Sequence, residues 1–208
     1  MKGKKLFIGI ANSQSTIPSL FFWSLMGIVQ ICPITIKRAG QSEAAIRDNS
    51  LIKAFLDSDC DYFVNMDIDQ TYPSNYFQAM VPLIDEYKCI GPLIFDRWVE
   101  SGYMPLIPKN GGYSPQNAGA VLKEKGIIEV AYSHNNHFFA REVLEAIPPP
   151  WCNVVLTEDG LSKAFHQDRW QMEKVIKAGY KIYINCDVVV KHIAEVEIDR
   201  EFYARWHK

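Results

Sequence analysis

Apolar runs separated by polar breaks organise this chain. Leu6 to Ala11 is an unbroken apolar stretch with β-branched residues, and it ends in a polar loop, Asn12 to Thr16. A run that is polar on neither side suits a strand buried on both faces of a parallel sheet. Pro18 then fits the first turn of a helix reaching about Gln30, and Ile34 to Lys37 reads as a second strand. From Ser42, with Glu43 near the start, Ala45, Ile46, Asn49, Ile52, Lys53 and Leu56 recur at helical spacing. Asp61 to Asp69 reads as a third strand, Pro73 as the start of another helix, and Cys89 to Phe95 as a further strand.

The second half is less regular. Ser101 to Gly119, rich in Gly, Pro and Asn, predicts an irregular insertion or hairpin, a common place for a binding loop. Ile127 to Tyr132 reads as a strand, and Arg141 to Ile147 as a short helix closed by Pro148, Pro149 and Pro150. A helix from about Arg169 to Ala178, capped by Asp168 and ended by Gly179, leads into a long β run from Lys181 to Val190. No repeat or linker divides the chain. The alternation predicts a single α/β domain, with helices on both faces of a mostly parallel sheet.

Composition narrows the function classes. The 208 residues are 48% hydrophobic and carry a formal net charge of −2, which argues against a basic nucleic-acid-binding face. Cys32, Cys60, Cys89, Cys152 and Cys186 show no CxxC or finger spacing, so they read as buried thiols of a reducing compartment. The most membrane-like stretch, Leu20 to Cys32, is broken by Ser24, Gly27 and Gln30. It falls short of the ~20 apolar residues of a span, so it predicts a buried helix and a soluble protein.

The sharpest chemical signal is Asp67-Ile68-Asp69 at the end of the third strand. In an extended segment, residues i and i+2 point the same way, so both carboxylates emerge together at the carboxyl edge of the sheet. Open α/β sheets bind their ligands at that edge. A divalent cation resolves the repulsion, and oxygen ligation with room for phosphate oxygens suits Mg²⁺ or Mn²⁺. The bland alternative is an exposed acidic turn.

In this context the chain resembles the GT-A fold glycosyltransferases, the family-2-like enzymes that use nucleotide sugars. The family's "G-x-x-x-x-x-x-R-x-N" helix is matched from Gly40 through Arg47 to Asn49, and its DxD strand by Tyr62 to Asp69 with Pro73 beyond. An acidic residue opening a helix, then "A-G-Y-K-I", then a strand ending in His are matched by Asp168, Ala178 to Ile182, and His192. The match spans roughly residues 6 to 193. It implies a Rossmann-like central sheet with a nucleotide-binding half over about 6–100. A small, loop-rich acceptor-binding half follows over about 101–193, then a tail over 194–208.

By the resemblance, Asp67 faces the ribose and metal, Asp69 ligates the metal, and His192 completes the metal site, which favours Mn²⁺ over Mg²⁺. Donor contacts fall to Ala11, Asn12, Ser13 and Thr16, to Arg38 and Arg47, and to Asp67, Ile68 and Asp69. Arg47 matches the arginine near the pyrophosphate, where a guanidinium fork suits phosphate. His134 and His137 lie where the family often places sugar or acceptor contacts, or else form a structural turn.

The family's usual Glu-Asp pair is Gln167-Asp168 at the matching spacing, while a true Glu158-Asp159 sits nine residues earlier. Asp168 is therefore one candidate for the catalytic base, and Glu158 and Asp159 are the other. Trp98 and Tyr103 are candidates for sugar stacking. Phe21 to Trp23 and Phe202 to Trp206 read rather as core or interface.

The implied function is metal-dependent transfer of a sugar, most readily from a UDP sugar, to a hydroxyl of a glycan or glycoprotein. The implied setting is cytoplasmic. A looser resemblance to viral capsid glycosyltransferases implies a capsid glycan as acceptor and the host cytoplasm as setting. A sugar-phosphate nucleotidyltransferase would need a Gly-rich basic loop after the first strand, and Asn12 to Thr16 has neither glycine nor lysine. The remaining alternative is a non-catalytic GT-A domain that only binds sugar nucleotide or glycan.

Overall fold

The structure is a computed structural model and describes residues 3–95, 125–133 and 136–194. Of 103–104, 107–108, 116–117 and 131–132 it describes the backbone. The first half runs β1 (Leu6–Ala11), α1 (Ser19–Met26), β2 (Ile34–Ala39), α2 (Ala44–Leu56), β3 (Tyr62–Asp67), β4 (Gln70–Thr71), α3 (Tyr76–Met80), a 3-10 turn (Val81–Leu83), α4 (Ile84–Tyr87) and β5 (Cys89–Ile94). Then come β6 (Tyr103–Met104), β7 (Ile107–Pro108), β8 (Gln116–Asn117), β9 (Ile127–Tyr132), β10 (Phe138–Ala140) and α5 (Arg141–Ala146). The chain continues through β11 (Val155–Leu156), β12 (Lys163–Phe165), α6 (Gln167–Lys177) and β13 (Ile182–His192).

One sheet dominates, in the order β2-β1-β3-β10-β5-β13-β9-β7, with β4 paired to β13. The strands β1, β2, β3, β5 and β13 point one way, while β10 and β9 run against them. The mostly parallel α/β sheet expected from the apolar runs is what forms.

Alternation along the strands builds two cores. On one face, Phe7 and Phe63 lie in register and meet Phe55 of α2 at 5.9 and 5.4 Å between rings. On the other, Val64 and Phe138 are register partners, and Phe138 packs 5.3 Å from Tyr76 of α3. Gly9 shows how tightly α2 sits: a Cβ there would meet Leu51 Cδ1 at 3.0 Å and Phe63 at 3.3 Å. Gly9→Ala should therefore destabilise by about 1–3 kcal/mol through overpacking, read as a lower urea midpoint at unchanged slope.

Three expectations need correcting. α1 is not a buried helix: Phe21 is its one buried residue, while Leu20, Trp23 and Met26 are 59%, 69% and 66% exposed. It lies along the edge near β4, with Phe21 against Tyr72 at 6.1 Å, so most of its apolar surface finds no cover within the described residues. The helix expected at Pro73 starts at Tyr76, whose N–H bonds to the Pro73 carbonyl, and it breaks into α3, a 3-10 turn and α4. The cap of α6 is His166, not Asp168, which sits inside the first turn. Among the described residues no helix is long and apolar enough to cross a membrane.

Candidate functional site

Register assembles the site. Ala11 is paired with Ala39 on one side and with Asp67 on the other, so β1, β2 and β3 end together at one carboxyl edge. Asp67 shares its face with Asn65 and Phe63, the side that α2 covers. From α2, Asp48 accepts a hydrogen bond from Asn65 Nδ2 at 3.0 Å. Asp48 is 6% exposed, so this carboxyl is held inside the protein.

Four carboxyls influence one another here. The Asp67 carboxyl is pushed up to about 8, first by its enclosure and then by Asp48, Asp69 and Asp168, with Arg47 opposing. Asp48 is pushed up to about 7 by burial, with Arg47 and the Asn65 hydrogen bond pulling it down and Asp168 pushing it up. Asp67 is only part-buried as a residue, so water damps its shift, but the direction follows from the crowding. Arg47 answers this acidity from α2. Its Nη1 donates to the carbonyls of Gln41 and Ser42 at 2.9 and 2.6 Å, while its buried Nε–H has no hydrogen-bond partner among the described residues.

Raised carboxyl pKa values make a pH signature. Between the unfolded value near 4 and about 7–8, the folded chain holds protons that the unfolded chain releases, so stability falls as pH rises. Without divalent cations, the melting temperature should drop from pH 5 to pH 8, and Asp67→Asn should flatten the slope. A melting temperature that rises over that range contradicts this picture of the cluster.

Asp168 reaches this group because α2 and α6 are strapped together. Asn49 donates to the Cys152 carbonyl at 2.7 Å and accepts from its N–H at 3.0 Å. Lys174 of α6 reaches back to the carbonyls of Pro148 and Pro150. Asp168 accepts from the N–H of Arg169 at 2.8 Å. Glu158 and Asp159 lie elsewhere, exposed at the turn between β11 and β12. There Asp159 is occupied with Thr157 Oγ1 at 2.6 Å and the Leu161 N–H at 3.0 Å, bonds that hold its carboxyl below the usual range.

The loop after β1 is shaped by its own residues. Asn12 is 1% exposed; its Oδ1 accepts from the Gln14 N–H at 2.8 Å and its Nδ2 donates to the Thr16 carbonyl at 3.3 Å. Arg38 braces the same loop through the carbonyls of Asn12 and Gln14 at 3.2 and 2.6 Å. Asn12 and Arg38 thus form the loop that presents Ser13 and Thr16, both exposed.

The DxD geometry differs from the extended expectation. β3 stops at Asp67, and Ile68 and Asp69 form a turn before β4. The Ile193 N–H bonds to the Asp69 carbonyl at 2.6 Å, which sets the end of β13 beside the turn. His192 Nδ1 bonds to the Phe95 carbonyl, and its Nε2 lies 3.1 Å from Gln70 Nε2. Among the described residues, no three His, Cys, Asp or Glu side chains converge to hold a metal ion. The crowding of Asp67 and Asp69 suits a divalent cation that phosphate oxygens help to hold, whereas the His192 ring nitrogens are already committed.

Sequence reasoning missed Asp48, Gln70, Tyr72 and Asn136. Asp48 had a readable signal, since it shares the helical face of Leu51, Ile52 and Phe55. Asn136 had none. Fully buried with a φ of 73°, it bonds to Asp67, Gln70 and Tyr72. His137 is 1% exposed and packs so closely on β5 that a Cβ at Gly91 would lie 2.9 Å from its ring, a position inside the core. Trp98, His134 and Phe202 to Trp206 lie outside the described residues, as does the Tyr103 side chain.

No protein-family model and no curated sequence matches the chain. Solved structures do. A197 from STIV superposes with a TM-score of 0.61 at 17% identity, covering 92% of this chain and 86% of that one. GalNAc-T7 with UDP, GalNAc and Mn²⁺ gives 0.58 at 12% identity, covering 93% of this chain and 44% of that one. S. aureus TarS 1–349 in complex with UDP-GlcNAc gives 0.54 at 11% identity, over 97% of this chain and 64% of that one. The chain therefore spans less than two thirds of the length of these last two. At such identities the likeness shows the fold, and the fold is GT-A-like.

Proposed function

We propose that the chain is a glycosyltransferase that binds a nucleotide diphosphate sugar, with UDP the favoured nucleotide, and transfers the sugar to a hydroxyl of a glycan or glycoprotein. The observation that carries this reading is the meeting, at one carboxyl edge, of Asp67 with Arg47 and Asp48 from α2 and Asp168 from α6. It is supported by the solved structures of like fold that hold UDP-GlcNAc in one case, and UDP with Mn²⁺ in another.

The residue roles follow from their chemistry. Ser13 and Thr16, on a loop held by Asn12 and Arg38, offer hydroxyls to the base and ribose, with Ala11 and Ile68 flanking. Arg47 supplies a fixed guanidinium charge beside Asp48 and Asp67, which suits the pyrophosphate. Asp67 and Asp69 would hold a divalent cation, Mn²⁺ or Mg²⁺, which when bound neutralises charge on the leaving diphosphate. Asp168 takes the acceptor proton if the reaction inverts, and orients the donor if it retains.

The binding claim is tested by thermal shift against a panel of nucleotide sugars with and without Mn²⁺. UDP sugars should raise the melting temperature as ln(1 + [L]/Kd), and only with the cation present. Arg47→Lys keeps the charge but loses the fork, so UDP affinity should fall by about tenfold. An unchanged affinity in that variant would relegate Arg47 to the scaffold.

A further inference from the structure

We propose that His192 is not a metal ligand but the fixed end of a hydrogen-bonded relay, His192–Gln70–Asn136–Asp67, that positions the Asp67 carboxylate for the donor. The proposal rests on the reading of this edge as a nucleotide-sugar site, and it departs from the metal role that the sequence resemblance implied for His192.

The donors and acceptors run in one consistent direction. The Phe95 carbonyl can only accept, so His192 carries its proton on Nδ1 and leaves Nε2 as an acceptor. Gln70 donates its Nε2 amide to that atom at 3.1 Å. Its own Oε1 accepts from Asn136 Nδ2 at 2.7 Å, an orientation that follows from Asn136 Oδ1 accepting from the Asp67 N–H, and the Tyr72 hydroxyl lies 3.2 Å away. Asn136 then holds Asp67 twice. Its Oδ1 accepts from the Asp67 N–H at 3.3 Å, and its Nδ2 faces Asp67 Oδ2 at 3.4 Å. Gln70 and Asn136 are 2% and 0% exposed, so the Gln70–Asn136 bond at the centre of the relay is shielded from water and expensive to break, while the bonds at its His192 and Asp67 ends are part-buried.

The lone pair that a cation would need on His192 is therefore the one Gln70 uses. Freeing it orphans a buried amide and loosens the Asn136 that holds Asp67. β-pairing reinforces the arrangement, because His192 stands opposite Gln70 in the β13–β4 register. Gln70 and Asn136 are then positioning residues acting through Asp67, and His192 anchors them.

The test uses the whole chain with Mn²⁺ and UDP. Electron spin-echo spectra of the bound Mn²⁺ should show no nitrogen coupling from imidazole, and uniform ¹⁵N-histidine labelling should leave them unchanged. Gln70→Leu, which cannot ligate but breaks the relay, should weaken Mn²⁺–UDP binding by about 10- to 100-fold, as lost outer-shell support does. Imidazole nitrogen coupling in the wild-type spectrum overturns the proposal and needs no variant to fold. Tighter Mn²⁺ binding by Gln70→Leu overturns it as well, since that is what freeing a ligand produces. A wild-type chain that binds neither Mn²⁺ nor UDP also overturns it, but marks the donor-site reading as the step that failed.

Discussion

Asp168→Asn should reduce turnover by about 10²- to 10⁴-fold, the loss typical of a missing general base, while UDP affinity barely moves. In the proposed reading Arg47 and the Asp67–Asp69 turn hold the donor, so binding and chemistry should separate. Stability should also hold. Asp168 lies in the first turn of α6, where a lost carboxylate costs about 0.3–1 kcal/mol of dipole interaction. Relief of its repulsion with Asp48 and Asp67 offsets part of that. Glu158→Gln and Asp159→Asn are matched controls on the exposed turn between β11 and β12, and turnover should survive both. If Asp168→Asn keeps near-normal turnover and the controls do too, the reaction needs no base, and a retaining course replaces the inverting one.

Asp67→Asn should act in opposite directions on ligand and fold. Cation-dependent UDP binding should fall by at least ~100-fold, because interactions to a charged group are worth about 1.5–3 kcal/mol and this carboxylate serves more than one. The ligand-free chain should meanwhile melt higher at pH 8, where the native carboxyl is being forced to ionise beside Asp48, Asp69 and Asp168. A variant that melts lower at pH 8, yet binds UDP as well as before, would place Asp67 in the scaffold and not in the site.

Much of this fold is legible in the sequence because its strands are apolar runs and α2 is periodic. β1, β3, β5 and β9 fall within two residues of the apolar runs that predict them. Two kinds of feature escape. The three residues of β10 are too few for any period to show, although that strand bridges β3 and β5. For α1, hydrophobicity stands for burial only if something covers the helix, and its position beside β4 leaves Leu20, Trp23 and Met26 outside.

The site divides similarly. Spacing along the chain leaves Asp168 and the Glu158–Asp159 pair as alternatives, whereas in the fold Asp168 acts on the Asp67 carboxyl and Glu158 and Asp159 lie on the exposed turn between β11 and β12. The Gln70–His192 and Gln70–Asn136 contacts span 122 and 66 residues and depend on strand order, so no local pattern announces them.

The central claim, turnover of a nucleotide sugar at the β1–β3 edge, is tested most directly by UDP release. Purified chain would be incubated with each UDP sugar, with Mn²⁺ or with EDTA, and free UDP counted over time. UDP should appear slowly by hydrolysis for one donor, vanish with EDTA, and be absent for Asp67→Asn. A folded chain that releases no nucleotide from any donor, with Mn²⁺ present and a glycan pool as acceptor, contradicts the account.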